Sequence, residues 1–241
     1  MTDKTGAIVL HQIKYTDSGI IVQVYTRNYG RQSVLVRGLR KKKSGRQNVF
    51  FQPLSVLDLV IYYRDPESMK TLKEFSVVFA PNDIYNNIIK SCITLFLGEV
   101  LTTVLKEEGR NEELFDYIRD SIVYFDNRKE DFSNFHIAFL IGLCSFLGFE
   151  PGKKRSSEDR IFDMLNGAFL PLPPSHGAYA DIEISGILGE FFSSSWDDMN
   201  KIVLTGAKRN DVLLTILKYY SVHMPSLRKI NSLEILKEVF G

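Results

Sequence analysis

Forty consecutive residues, from Ser18 to Leu57, contain no Asp or Glu, although the chain as a whole carries 29 acids. A surface that is merely solvated mixes its signs, so this absence argues against a plain solubilising stretch. Cysteine is nearly missing too. Cys92 and Cys144 lie 52 residues apart, each inside an apolar helical pattern. That spacing gives neither a disulfide framework nor a metal-ligand set, and it fits a reducing, cytoplasmic interior. No apolar run is long enough to span a bilayer uninterrupted: "IIKSCITLFLGEVLTTVL" carries Lys90 and Glu99 and reads as a buried helix. The opening Thr2-Asp3-Lys4 has no signal-peptide core. The expectation is a soluble protein with no membrane partner.

Catalytic signatures are also lacking. There is no Walker loop, no G-x-G-x-x-G and no G-x-S-x-G. His11, His136, His176 and His223 come from separate elements, and none has a second ligand at metal spacing. His136, on a helix, reads as a packed or half-exposed side chain. The acidic pairs Glu107–Glu108, Glu112–Glu113 and Asp197–Asp198 are sequence neighbours. On a helix such neighbours diverge around the axis instead of converging on a substrate. No catalytic residue, cofactor or metal is expected.

What is present is a change of period. The first 80 residues hold five strand-like segments, "AIVLHQI", "GIIVQVYT", "QSVLVRG", "LSVLDLVIYY" and "MKTLKEFSVVFA", bounded by turn formers such as "RNYG" and "RDPES". Five strands in that length point to a small closed barrel, with the OB-fold ahead of an SH3-like barrel. From Asp83 the apolar spacing is helical, with Asn82 or Asp83 as the cap of a first long helix. Two more helices, a small Asn-Gly hairpin at about 155–180, a proline-rich run and three or four closing helices follow. The fold class is therefore α+β: residues 1–80 an OB-fold nucleic-acid-binding domain, residues 81–241 a helical domain with a hairpin insert. Trp196 reads as a core or helix-start anchor.

Charge is distributed unevenly. Eight basic residues fall inside the acid-free window: Arg27, Arg31, Arg37, Arg40, Lys41, Lys42, Lys43 and Arg46. The rest of the chain then holds 22 basic and 29 acidic residues, net −7, although the total is +1. A basic barrel face with aromatic rings beside it suits single-stranded nucleic acid, the cations tracking phosphates and the rings stacking on bases. Tyr25 and Tyr29 flank the hairpin, and Phe50 and Phe51 close the basic loop. Gly38 and Gly45 bracket the loop's charges, which suggests ordering on binding. Nothing resembles a base-reading helix, so binding is expected to be sequence-independent. Two other readings are an adaptor whose loop meets acidic protein surfaces and a hydrolase built from scattered acids. Length-dependent oligonucleotide binding separates the first from DNA binding, and metal-dependent cleavage would mark the second.

In order along the chain, "TGAIVL", "YTDSGIIV", Thr26-x-x-x-Gly30, "GLRKKKS", "FQPLS", "LKEF", "LGFEP", "FDMLNGAF" and "SLEIL" make the whole length resemble the RecO family of bacterial recombination mediators. The resemblance implies an OB-fold followed by a helical domain. It also implies binding to single- and double-stranded DNA, annealing of complementary strands, and RecA loading with the partner RecR. None of this would involve nucleotide hydrolysis. It places DNA contacts on Arg37, Arg40, Lys41, Lys42, Lys43 and Arg46. It further implies docking of the acidic tail of single-stranded DNA-binding protein on the helical domain, for which Lys218, Tyr219, Arg228 and Lys229 have suitable chemistry. A nucleoid-associated cytoplasmic location fits such a role. Many RecO-like chains carry a cysteine-ligated zinc site after "LGFEP"; this chain has no cysteine there, and His176 is the one conventional nitrogen or sulfur ligand in the stretch. The expectation is an insert held by packing and the proline-rich run, without metal.

Overall fold

The computed structural model describes residues 2–16, 19–37, 50–62, 68–105, 109–227 and 230–240. The first five strands are β1 (Thr2–Thr16), β2 (Gly19–Thr26), β3 (Gly30–Arg37), β4 (Val56–Tyr62) and β5 (Lys70–Phe79). They close into a barrel in the order β1-β2-β3-β5-β4. A parallel seam, Val34 beside Lys70 and Leu35 beside Thr71, joins β3 to β5. This is the five-stranded OB arrangement expected from the strand count. Alternate residues point inward, so Ala7, Val9, Val22, Val24, Val34, Val36, Leu57, Leu59 and Ile61 form the barrel core.

The tight connection after β2 explains the Thr26-x-x-x-Gly30 spacing. The Thr26 hydroxyl donates to Gly30 O (2.8 Å) and accepts from Tyr29 N (3.1 Å), while Gly30 takes φ +65°. That backbone region favours glycine. "FQPLS" works as a plug. Phe51 enters the barrel core and packs on Phe75 at 4.9 Å, and Leu54 N donates to Val9 O.

Three helices follow: α1 (Asp83–Asn86), α2 (Ile88–Val104) and α3 (Glu112–Asn127). The single long helix expected from Asp83 is thus broken, and Asn82 makes no side-chain cap bond. Asn87 caps the second piece, its side chain accepting from Ile89 N and Lys90 N at 3.0 and 3.2 Å. The break lets Asp126 of α3 accept from Asn82 N and Ile84 N, and lets buried Lys90 reach Asp83 at 2.6 Å and Phe125 O at 2.8 Å.

Two compact units emerge, Met1–Asn127 and Arg128–Gly241, so these helices belong with the barrel. Ile8 and Leu10 on the outer side of β1 are buried, α2 packs against that strand, and Gly6 approaches Phe115 of α3 so closely that a Cβ would lie 3.1 Å from its ring.

The second unit contains α4 (Phe135–Phe146), the hairpin β6 (Ile161–Asp163) and β7 (Ala168–Leu170), α5 (Ile182–Ser193), α6 (Trp196–Met199), α7 (Gly206–His223) and α8 (Ser232–Phe240). Helix α4 ends as its Gly148 predicts: φ is +82°, Phe149 N donates to Cys144 O and Gly148 N to Ser145 O, the paired closure of a Schellman motif. Phe149 then packs edge-on against Tyr220 at 5.0 Å. Trp196 opens α6 and meets Phe135 edge-on at 5.8 Å. His136 is fully buried and stacks on Phe240 at 5.4 Å. No helix among the described residues is long and apolar enough to cross a membrane.

Candidate nucleic-acid interface

The outer surface of β1, β2 and β3 is set by a register slip. Val9 pairs with Val24, but His11 pairs with Gln23, so Leu10 is the extra residue of a bulge. Beyond it, His11–Gln23–Ser33 and Ile13–Ile21–Leu35 form cross-strand rows opposite the core-facing valines. The strand also runs on to Thr16, past the Ile13 end read from the sequence, and so brings Tyr15 onto this sheet. Ile13 and Tyr15 are 49% and 56% exposed. Tyr15 is the functional candidate that sequence reading missed. Its signal is the aromatic in "YTDSGIIV", two residues beyond the "AIVLHQI" strand.

The predicted site residues separate into three groups. Arg31 and Arg37 stand at the two ends of β3, opposite Tyr25 and Gly19. Arg37 is exposed. Arg31 is half-buried; burial pushes its guanidinium below its ordinary pKa, and its Nε has no hydrogen-bond partner among the described residues. A desolvated arginine of this kind is a good receptor for a phosphate oxygen.

Arg27, Tyr25 and Tyr29 are engaged inside the protein. Arg27 clamps Asp116 of α3 through both terminal nitrogens (2.7 and 3.1 Å) and donates from Nε to Glu112 (3.0 Å). The hydrogen bonds to Asp116 and then Glu112 raise its pKa. The Tyr25 ring is fully buried and its hydroxyl donates to Gly109 O at 3.1 Å. Tyr29 packs against the barrel core and donates its hydroxyl to Asp3. Phe51 is core as well. These rings are therefore corrected from stacking platforms to structural members: Tyr25 is buried on the outer face of β2 with its hydroxyl on Gly109 O, and Tyr29 and Phe51 pack with the barrel core.

Arg40, Lys41, Lys42, Lys43 and Arg46 lie outside the described residues, as does the loop that holds them. In the second unit, Lys218 borders a groove of about 220 Å³ between α7 and α8, floored by Leu214, Leu217, Leu227, Ile230 and Leu233. Glu234 also lines it and pairs with Lys237 at 3.1 Å. Tyr219 points the other way: it is buried, donates to Phe149 O at 2.6 Å and packs on Phe162. Burial raises its pKa and keeps the hydroxyl protonated. Arg228 and Lys229 lie outside the described residues.

The hairpin insert is tied by one buried carboxylate. Asp163 Oδ1 accepts from Leu165 N (2.8 Å) and Asn166 N (3.3 Å), and Oδ2 accepts from the Asn166 amide (2.7 Å). His176 Nε2 sits 3.2 Å from Oδ1 while its Nδ1 accepts from Ala178 N at 3.1 Å. An accepting Nδ1 fixes the neutral tautomer with the proton on Nε2, aimed at the carboxylate. Burial pushes the Asp163 pKa up, but the Asn166, Leu165 and His176 hydrogen bonds outweigh it and hold the group below the usual range. Gly167, at φ +61°, closes the turn, and its carbonyl accepts from Gly152 N at 2.7 Å. Among the described residues no three His, Cys, Asp or Glu side chains converge as metal ligands.

Comparison with known proteins completes the site. The family model Recombination protein O N terminal matches residues 1–80, and Recombination protein O C terminal matches residues 85–233. A protein named DNA repair protein RecO from Phocaeicola vulgatus is 36% identical over 241 residues, covering all of both chains. Its namesake from Bacteroides fragilis is equally similar over the same span. The one from Flavobacterium psychrophilum is 31% identical over 243 residues, again across both whole chains.

Proposed function

The chain belongs to the recombination protein O family, whose named relatives are DNA repair proteins; from that premise we propose that it is a non-enzymatic DNA-binding mediator acting in the cytoplasm at the nucleoid. It binds single- and double-stranded DNA without reading sequence and anneals complementary strands. With RecR it promotes RecA loading onto strands coated by single-stranded DNA-binding protein. The observation that carries this reading is the OB barrel whose β3 edge displays Arg31 and Arg37 and runs directly into the acid-free segment "RGLRKKKSGRQ".

The physics of annealing suits that surface. Two strands repel through their phosphates, and each Lys or Arg that neutralises a phosphate releases condensed counterions and lowers the repulsion. The phosphate-contacting set is Arg31 and Arg37 together with Arg40, Lys41, Lys42, Lys43 and Arg46. The groove beside Lys218 offers apolar walls to the apolar end of an acidic tail, with Lys218 at its border for a carboxylate and the acid Glu234 drawn off by Lys237, which supports it as the docking place for the single-stranded DNA-binding protein tail.

The test is annealing of two labelled complementary oligonucleotides, followed by energy transfer. The wild type is expected to raise the annealing rate at low salt, and a variant with Arg40, Lys41, Lys42 and Lys43 all changed to Ala to lose most of that acceleration. A wild type that leaves the rate at its protein-free value would overturn the proposal and favour a protein-binding adaptor.

A further inference from the structure

An exposed tyrosine beside an exposed isoleucine is an unusual ornament for a barrel strand, since such faces are ordinarily polar where they meet water. Here Ile13 and Tyr15 project from the end of β1, 49% and 56% exposed, next to exposed Lys14. Ile13 shares a cross-strand row with partly exposed Ile21 of β2. Tyr15 stands at a second register slip, between the pairs Lys14–Ile20 and Thr16–Gly19. A bulge turns a side chain out of the regular pleat.

The charge around this patch names its occupant. Between Lys4 and Leu57 the sequence holds a single acid, Asp17. The row Thr16–Gly19–Arg37 crosses three strands, so exposed Arg37 begins two strand spacings, about 10 Å, from the Tyr15 end of β1. Gly19 between them adds no side chain, and the small Thr16 hydroxyl, 2.9 Å from where a Cβ would stand, fills part of the gap between ring and guanidinium. An aromatic face with a cation one nucleotide's reach away matches a base and its own phosphate.

Resting on the DNA-binding reading above, we propose that Tyr15, supported by Ile13, is a stacking platform for unpaired bases, and that it gives this barrel its preference for single strands over duplex. Base faces are hidden in a duplex and open in a single strand, so the platform adds affinity to one and nothing to the other. Arg37 holds a phosphate in both.

The experiment measures anisotropy of three labelled probes of equal length: a thymidine single strand, an abasic strand with the same phosphates, and a duplex. Stacking on one base is worth about 1–3 kcal/mol, so Tyr15→Ala is expected to weaken thymidine-strand binding about tenfold. Duplex and abasic binding should stay within twofold of wild type. Tyr15→Phe keeps a stacking face and is expected to keep the wild-type preference. Unchanged thymidine-strand affinity in Tyr15→Ala, with binding still lost in the basic-loop variant, would overturn the platform and leave the phosphate surface standing. A wild type that binds none of the probes would overturn both.

Discussion

Arg27 and Arg31 stand four positions apart on one hairpin and perform different work. Arg27 spends its guanidinium on Asp116 and Glu112, whereas Arg31 is held half-buried with no carboxylate on it among the described residues. Arg27→Ala is therefore expected to lower the denaturant midpoint of unfolding and to leave the salt dependence of DNA binding unchanged. Arg31→Ala and Arg37→Ala should each flatten the log–log salt slope on single strands by about 0.7. His136 supplies a different prediction. Burial, with Arg209 nearby, pushes its pKa down from 6.5 to about 3. Between those values the unfolded chain binds more protons than the folded one, so stability present above pH 6.5 falls as pH is lowered. From pH 7 to pH 5 the loss through this group is about 2 kcal/mol, and urea titrations at both pH values should show that His136→Leu removes it. From the sequence His136 reads as packed or half-exposed, and the structure buries it fully. The sequence could not separate Arg27 from Arg31, because their difference lies in α3, some eighty residues downstream.

At the scale of elements, local chemistry was readable where a turn has a fixed demand. Gly30, Gly148 and Gly167 all take positive φ at the ends of the elements they were read to close. Local chemistry misled where a distant partner decides. The helix read from Asp83 breaks at Asn87 because Asp126 and Lys90 reward the break with buried hydrogen bonds. Likewise the burial of Tyr25 on the outer face of β2 follows from a distant partner, Gly109, and the setting of Tyr15 from a bulge at the end of β1, neither of which a period-two pattern encodes. In the insert, packing and a proline-rich run read from the sequence are joined by a hydrogen-bond hub that sequence does not show, Asp163, and Asp163→Ala leaves the part-buried Leu165 N and Asn166 N without that acceptor. The expected cost is about 1–3 kcal/mol in all, read by denaturant unfolding, with the first loss of hydrogen-exchange protection in residues 161–180.

For the whole molecule, the family boundary and the packing boundary differ. The matched segments meet between residues 80 and 85, whereas the compact units meet after Asn127. Ile8 and Leu10 on the outside of β1 owe their burial to the helices that follow the barrel. A fragment ending at Asn127 is accordingly expected to unfold cooperatively, and one ending at Ala80 to bind a hydrophobic dye and lose a sharp transition. The barrel, the helical region and the family were legible in the sequence because strand count, period change and motif order survive without coordinates.

The central claim, a phosphate-holding surface built on one acid-free stretch, is tested most directly by fluorescence anisotropy. A labelled single strand is titrated at several salt concentrations with the wild type and with the variant carrying Arg40, Lys41, Lys42 and Lys43 all as Ala. Four lost phosphate contacts predict a variant that binds more weakly, with a salt slope shallower by about 3. Equal affinity and equal slope in the two proteins would contradict the account.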